Sequence, residues 1–334
     1  MKTSIIKTFP GEKDFDLFQN LQNEIYSGKN INTGKNNPVS LHLSACFVLL
    51  TGGIPKARFA YYRNPDLRYE GKSACTIGSY ECVDDEIISK EILNFAKNIA
   101  KKDGYEFLIG PMEGSTWENY RFSLHNVIEN FFMEPYNFQY YNNQFLRNGF
   151  SEIAGYFSNI DRKPEFDELQ ISEYEKLLKS ENACVRNLNL NDFENELFKI
   201  GKFCIEAFKD NFLYTPISPE YFVSKYIKFK DYFVPELVEI VEKDNEIHGF
   251  NFVIPNYNDP QKKSIICKSI ARRFDSPFKG LGNYFAWKMN KTALKTGYSE
   301  VIHAFILSTN ASRQLSGRFN GGAYKEYKLY GVSL

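Results

Sequence analysis

From Ser269 to Asn283 the chain reads Ser-Ile-Ala-Arg-Arg-Phe-Asp-Ser-Pro-Phe-Lys-Gly-Leu-Gly-Asn: an apolar strand, a loop, then a helical period. Two glycines at a strand-to-helix junction bring free backbone N–H groups and the positive end of the helix dipole to one spot, which suits an anion and above all a pyrophosphate. Gly280 and Gly282 are thus the first candidate ligands, with Phe278, Lys279, Leu281 and Asn283 around them. A ligand-free loop would accept the same glycines, so context must decide. The third glycine of a dinucleotide fingerprint is replaced by Phe285, and no Gly-x-x-x-x-Gly-Lys-Ser/Thr loop occurs. His303 stands in the apolar run Val301-Ile302-His303-Ala304-Phe305. Its imidazole is suited to proton transfer near neutral pH, although a lone histidine on such a strand also fits a core.

The elements that position these groups occur twice. Ala100–Glu106 leads through Gly104-Tyr105 into Phe107-Leu108-Ile109, and Ala293–Ser299 leads through Gly297-Tyr298 into Val301-Ile302, an offset of 193 residues. Ile54, after the turn Gly52-Gly53, and Ile247, after Asn245-Glu246, share that offset. In order, each half predicts a strand (4–8; 184–188), an amphipathic helix (14–26; 192–208), a hairpin (45–50 with 56–62; 237–242 with 248–254) and a strand (74–82; 264–272). A helix with apolar spacing Ile88, Ile92, Phe95, Ile99 or Leu281, Phe285, Met289, Ala293 then closes at Gly104 or Gly297. The reading is a mixed α/β (α+β) chain of two tandem domains, each a mostly antiparallel sheet flanked by helices. Residues 1–160 form the first domain, 161–182 a charged surface linker helix, and 183–334 the second.

Lys plus Arg and Asp plus Glu are both 41, so no global field draws in a nucleic acid. No apolar run near the start approaches the roughly 20 residues of a membrane span, and residues 1–10 lack an apolar leader core. Six cysteines without a Cys-x-x-Cys pair, and four histidines, supply no metal cluster. The expectation is a cytoplasmic protein with no metal, no membrane and no nucleic-acid partner. The sequence leaves its oligomeric state open.

The arrangement resembles the Gcn5-related N-acetyltransferase superfamily in its tandem form, over nearly the whole chain. That family's acetyl-CoA loop reads Arg/Gln-x-x-Gly-x-Gly/Ala, and Pro277-Phe278-Lys279-Gly280-Leu281-Gly282 matches at both glycines while departing at Pro277. The resemblance implies acetyl-CoA, or another acyl-CoA, held by Ile270, Ala271 and Arg272 on the fourth strand, by Phe278–Asn283, and by Asn310 after the fifth. Gly321–Tyr327 is similar to the last strand of the fold. The implied activity is N-acyl transfer to an amine of a small molecule or peptide. An aminoacyl-tRNA-dependent ligase and a non-catalytic acyl-CoA-binding protein are the alternatives. His303, beside the expected thioester, is the implied base and Glu239 a second candidate. The family's acid is a Tyr about seven residues after the Asn. Gly317 stands there, so Tyr324 is the substitute candidate.

In the first half the offset places Asp84, Asp85 and Glu86 opposite Pro277, Phe278 and Lys279, and Ile87 and Ser89 opposite the glycines. Acids would repel a phosphate and side chains would block the backbone, so this copy is expected to be degenerate. It becomes a platform for substrate, with Met112, Trp117, Tyr140 and Tyr141 as candidate substrate-binding residues. Plain aromatic packing is the alternative for them.

Overall fold

The computed structural model describes residues 2–27, 37–124, 129–309, 316 and 321–334. The first half runs β1 (Thr3–Thr8), α1 (Phe15–Ile25), β2 (Leu43–Thr51), β3 (Ile54–Tyr62), β4 (Arg68–Tyr69), β5 (Lys72–Cys82), α2 (Glu86–Lys102), β6 (Phe107–Gly110), β7 (Phe122–Ser123), α3 (Tyr140–Arg147) and β8 (Ser151–Asp161). After α4 (Glu168–Ser180) the second half runs β9 (Cys184–Asn187), α5 (Phe193–Ala207), α6 (Pro219–Tyr226), β10 (Glu239–Lys243), β11 (Glu246–Pro255), β12 (Ser264–Arg272), α7 (Leu281–Lys295), β13 (Glu300–Leu307) and β14 (Gly322–Ser333).

Turn chemistry sets both hairpins. Gly52 and Gly53 have φ of 59° and 86°, and Asp244 and Asn245 have 54° and 63°, the left-handed pair that matches the twist of two-residue hairpins. These residue types enter that region at least cost. The helices then cover the sheet with their apolar stripes. In the first half Ile88, Ile92, Leu93 and Ala96 of α2 meet Phe59, Cys75 and Leu108. In the second, α5 buries Leu197, Ile200 and Phe203 against Phe250 and Ala304 on one face. On the other, α7 buries Leu281 and Phe285 beside Val241. The expected surface linker, α4, is amphipathic: Ile171 and Leu178 are buried against α7, while Leu169 and Leu177 are exposed.

The division at 160 and 183 separates the chain but not the sheet. Strand order is β1-β2-β3-β5-β6-β14-β8-β13-β12-β11-β10-β9. The last strand of each half thus joins the sheet of the other: β14 pairs with β6, and β8 pairs with β13. The two exchanged strands pair with each other from Gly322↔Ile160 to Gly331↔Ser151. A buried ion pair also ties β14 to the first half, with Lys325 Nζ donating to Glu134 at 2.7 Å and to Asn130 Oδ1 at 3.0 Å, both in the segment between β7 and α3. Both charged side chains are wholly out of water, so removing either would strand the other at a cost of about 3–5 kcal/mol. Among the described residues no helix is long and apolar enough to cross a membrane. All six cysteines are free, and Cys184 alone is exposed.

Because each half needs a strand from the other, fragments 1–161 and 162–334 should be insoluble when expressed singly and soluble as a complex when co-expressed. Size-exclusion chromatography checks this. Two independently folded, monomeric fragments would show that the exchange is dispensable.

Candidate functional site

The site begins where two strands part. β12 and β13 run parallel from Ser264↔Glu300 to Cys267↔His303 and then separate. Beyond that point Ser269–Arg272 pair, among the described residues, only with β11, while β13 bulges around Phe305, which has φ of 58°, and continues against β8. The β13-facing edge of β12 is left without a strand partner, and a cavity of about 530 Å³ opens there. That volume lies within the usual range for small-molecule sites. Ile270, Ala271, Arg272 and His303 line it on the strands, Ala286 and Met289 on α7, and Trp117 on a loop of the first half.

α7, one wall of this cavity, starts at an uncapped end. Its N-cap is Gly280, at φ of 84°, and no side chain satisfies the helix's first N–H groups. A substitution there is strained by conformation, since the nearest atom to an added Cβ is on Tyr174 at 3.7 Å. Phe278 and Leu281 are buried and anchor the loop to the core, so any ligand contact they make is through backbone. Gly249 lets the helix seat, because a Cβ there would lie 2.2 Å from Leu281 Cδ2. The Phe278–Asn283 segment does not line the cavity itself, which meets α7 further along.

His303 sits at the vertex of the cleft. Asn159 Nδ2 donates to Ser316 Oγ at 2.9 Å, and Ser316 Oγ lies 2.7 Å from His303 Nδ1. The Ser316 hydroxyl, with a second lone pair and its own proton, can either donate to Nδ1 or accept from it, so the contact suits both neutral tautomers. Nε2 is buried without a partner among the described residues. Burial lowers the imidazole to about 4, so it is neutral through the physiological range. An imidazole this hard to protonate is a poor proton acceptor near neutral pH, which disfavours the expected base role, and Nε2 can donate in the tautomer where Ser316 donates to Nδ1.

The other candidates separate. Trp117 lines the cavity, its Nε1 donating to Thr215 O at 2.9 Å while its ring meets Phe208, Tyr214 and Phe222. Tyr324 is half-buried on β14 and is no part of the lining. Glu239 pairs in register with Asn251 on β10–β11, and its carboxyl is pushed up to about 8 by burial. It too lies outside the cleft. Met112 is a core residue beside Leu67 and Tyr327. Asn310 lies outside the described residues. Charged groups that spacing did not point to are Glu118, Arg121 and Lys268, all on the cavity wall. Lys268 is the bulged residue of β12, between Cys267 opposite Val253 and Ser269 opposite Phe252.

Tyr140 and Tyr141 explain the silent copy. Ala57 and Phe250 share the 193-residue offset and pair with Cys82 and Ala271, so Cys82 stands where Ala271 lines the open cleft. In the first half α3 fills that place. Tyr140 Oη donates to Cys82 O at 2.8 Å, Cys82 N donates to Tyr141 Oη at 3.4 Å, and Gln144 Nε2 donates to Val83 O at 2.9 Å. Tyr141 also donates to buried Glu81 at 2.6 Å, a second reason for a phenol there. The Asp85 carboxylate caps α2 by accepting from the N–H groups of Ile87 and Ile88. The first half therefore satisfies internally what the second leaves open.

No protein-family model matches this chain, and no curated protein matches it in sequence. Solved structures do match its fold. A GCN5-related glucosamine N-acetyltransferase region of a fungal multi-domain GH3 β-N-acetylglucosaminidase aligns with a TM-score of 0.59 at 11% identity, over 99% of this chain and 38% of that one. The present chain thus spans well under half of that multi-domain protein. A tandem GNAT protein from the clavulanic acid biosynthesis pathway aligns over 99% of this chain and 98% of its own, with a TM-score of 0.54 and 9% identity. A GCN5-related N-acetyltransferase from Sphaerobacter thermophilus covers 98% and 95%, with a TM-score of 0.53 and 11% identity. The chain has the tandem fold of GCN5-related N-acetyltransferases.

Proposed function

We propose that the chain is an acyl-CoA-dependent N-acyltransferase whose second half binds the acyl donor. One observation carries this reading: of two matching clefts, the first is plugged by α3 and its helix capped by Asp85, while the second is open and the helix on its wall, α7, starts uncapped. Unpaired strand edge and unpaired helix N–H groups are what a pantetheine arm and a pyrophosphate can satisfy. Ile270–Arg272 would hold the arm and the backbone at Gly280–Gly282 the pyrophosphate. Acetyl-CoA or another acyl-CoA supplies an activated thioester carbonyl. His303 presents Nε2–H at the vertex, where it stabilises negative charge developing on an acyl oxygen. The acceptor amine occupies the α5–α6 side, walled by Trp117, Phe208, Phe222 and Tyr226. Fold likeness alone does not establish the reaction.

Acetyl-CoA should therefore raise the melting temperature, and NAD and ATP should not. Gly280→Asp should abolish the acetyl-CoA shift, by backbone strain and by charge opposed to the pyrophosphate. The triple variant Asp84→Asn, Asp85→Asn, Glu86→Gln should keep it, because α3 still fills that cleft. A folded Gly280→Asp protein that binds acetyl-CoA normally places the donor elsewhere.

His303 carries a pH signature. Its ordinary pKa of 6.5 falls to about 4 on folding, so the native chain binds fewer protons than the unfolded chain between those values. That contribution to stability is complete above pH 6.5 and is lost as pH falls toward 4. His303→Gln should flatten the acid limb of the denaturant-measured stability profile over this window. It should also cut turnover roughly 10- to 100-fold without moving the pH–rate profile. A limb near pH 6–7 that disappears in His303→Gln would restore the base role.

A further inference from the structure

The cleft carries more positive charge than its own carboxylates neutralise. Glu118 is the acid on its wall, and it is already engaged: Lys225 pairs with it, and Tyr221 Oη donates to its Oε1 at 3.0 Å. Arg121 has the opposite situation. Its guanidinium stacks on three rings, 3.9 Å from the centre of Tyr120, 4.5 Å from Tyr156 and 4.3 Å from Phe305. Its Nε donates to Tyr120 O at 3.0 Å, while Nη1 is buried with no acceptor among the described residues. No carboxylate reaches Arg121 or Lys268 among the described residues, and the remaining residues contain neither Asp nor Glu.

Ring faces can attract a cation but cannot accept the in-plane N–H groups of a guanidinium. A buried guanidinium N–H without an acceptor is costly, and a native chain keeps such a group where a ligand completes it. Lys268 is brought in by the β12 bulge, a device that re-aims one side chain without disturbing the strand beyond it. Burial, then repulsion from Lys225 and Arg121, pull its ammonium down to about 7, with Glu118 opposing. The guanidinium fork offers bidentate recognition, which selects a planar carboxylate or a phosphate over a lone polar group.

We propose that Arg121 and Lys268 form an anion subsite on the acceptor side of the cleft, so that the acceptor is an amine that also bears a carboxylate or a phosphate. The assignment of that anion to an acceptor rests on the acyltransferase reading above; the anion subsite itself does not. It places substrate choice in a residue of the first half and a residue of the second, which meet in one cavity.

The test is thermal unfolding of the full chain in sodium acetate and in sodium phosphate against sodium chloride at equal ionic strength, which probes the two anionic groups separately. One or both anions should raise the melting temperature by about 2 °C or more at 100 mM. Arg121→Met and Lys268→Met should each diminish that rise, Arg121→Lys should keep more of it than Arg121→Met, and Gly280→Asp should take away only what phosphate gains at α7. Circular dichroism establishes folding of each variant, and Arg121→Lys with Lys268→Met decides the matter if Arg121→Met does not fold. No rise in the parent, or a rise undiminished in Lys268→Met and Arg121→Met, overturns the subsite. A rise abolished by Gly280→Asp assigns the anion to α7 and overturns it equally. Acetyl-CoA titrated into the same proteins reports separately on the acyl-donor reading: loss of that shift with retention of the anion rise removes the donor and leaves the subsite.

Discussion

Backbone N–H and C=O groups taken out of water must find partners, and this one requirement orders the molecule. Each half has a pair of parallel strands joined by a helix, β5 with β6 and β12 with β13, and in the second half pairing stops at Cys267↔His303. Where strands part, an unpaired edge faces the interior. The first half answers with side chains of α3, whose Tyr140, Tyr141 and Gln144 take the backbone groups of Cys82 and Val83. Among the described residues the second half supplies no such plug, and its edge faces a cavity of about 530 Å³. The helix starts repeat the contrast, with Asp85 closing α2 and Gly280 leaving α7 open.

The exchanged strands make the two halves one cooperative object. β8 and β14 lie between β13 and β6, so the open cleft is braced by chain from both halves. Phe305 N donates to Ser158 Oγ at 3.1 Å, and Asn159 orients Ser316 and through it His303. Residues of β8, which precede the second half in sequence, thus position the imidazole at the vertex. The first half contributes to the site through this strand and through the Trp117–Arg121 loop, while its own cleft stays closed.

Local signals made the repeated elements legible. Hairpin turns, helix periods and C-terminal glycines are set by residues close in sequence, so the offset between Gly104 and Gly297 carried the architecture. The exchange was not legible, because pairing of β8 with β13 and β14 with β6 depends on distant partners and leaves no local mark. The same reason hides α3: Tyr140 and Tyr141 look like cleft-lining aromatics until the strand they plug is known. At the site, Gly280 and His303 could be found by type and place in the pattern, and Ile270–Arg272 through the family resemblance. Lys268 could be seen only as a lysine interrupting an apolar strand, and the bulge that turns it into the cleft is a tertiary feature. Arg121 carried no pattern, since its meaning lies in the acceptor it lacks.

Hydrogen–deuterium exchange with and without saturating acetyl-CoA tests the central claim most directly, because the claim concerns which backbone groups are free. Amides of Lys268–Arg272 and of the first turn of α7 should slow on binding, while those of Ser79–Ile88 stay as they were. Protection at Ser79–Ile88, or acetyl-CoA binding with no protection in β12 and α7, would contradict the account.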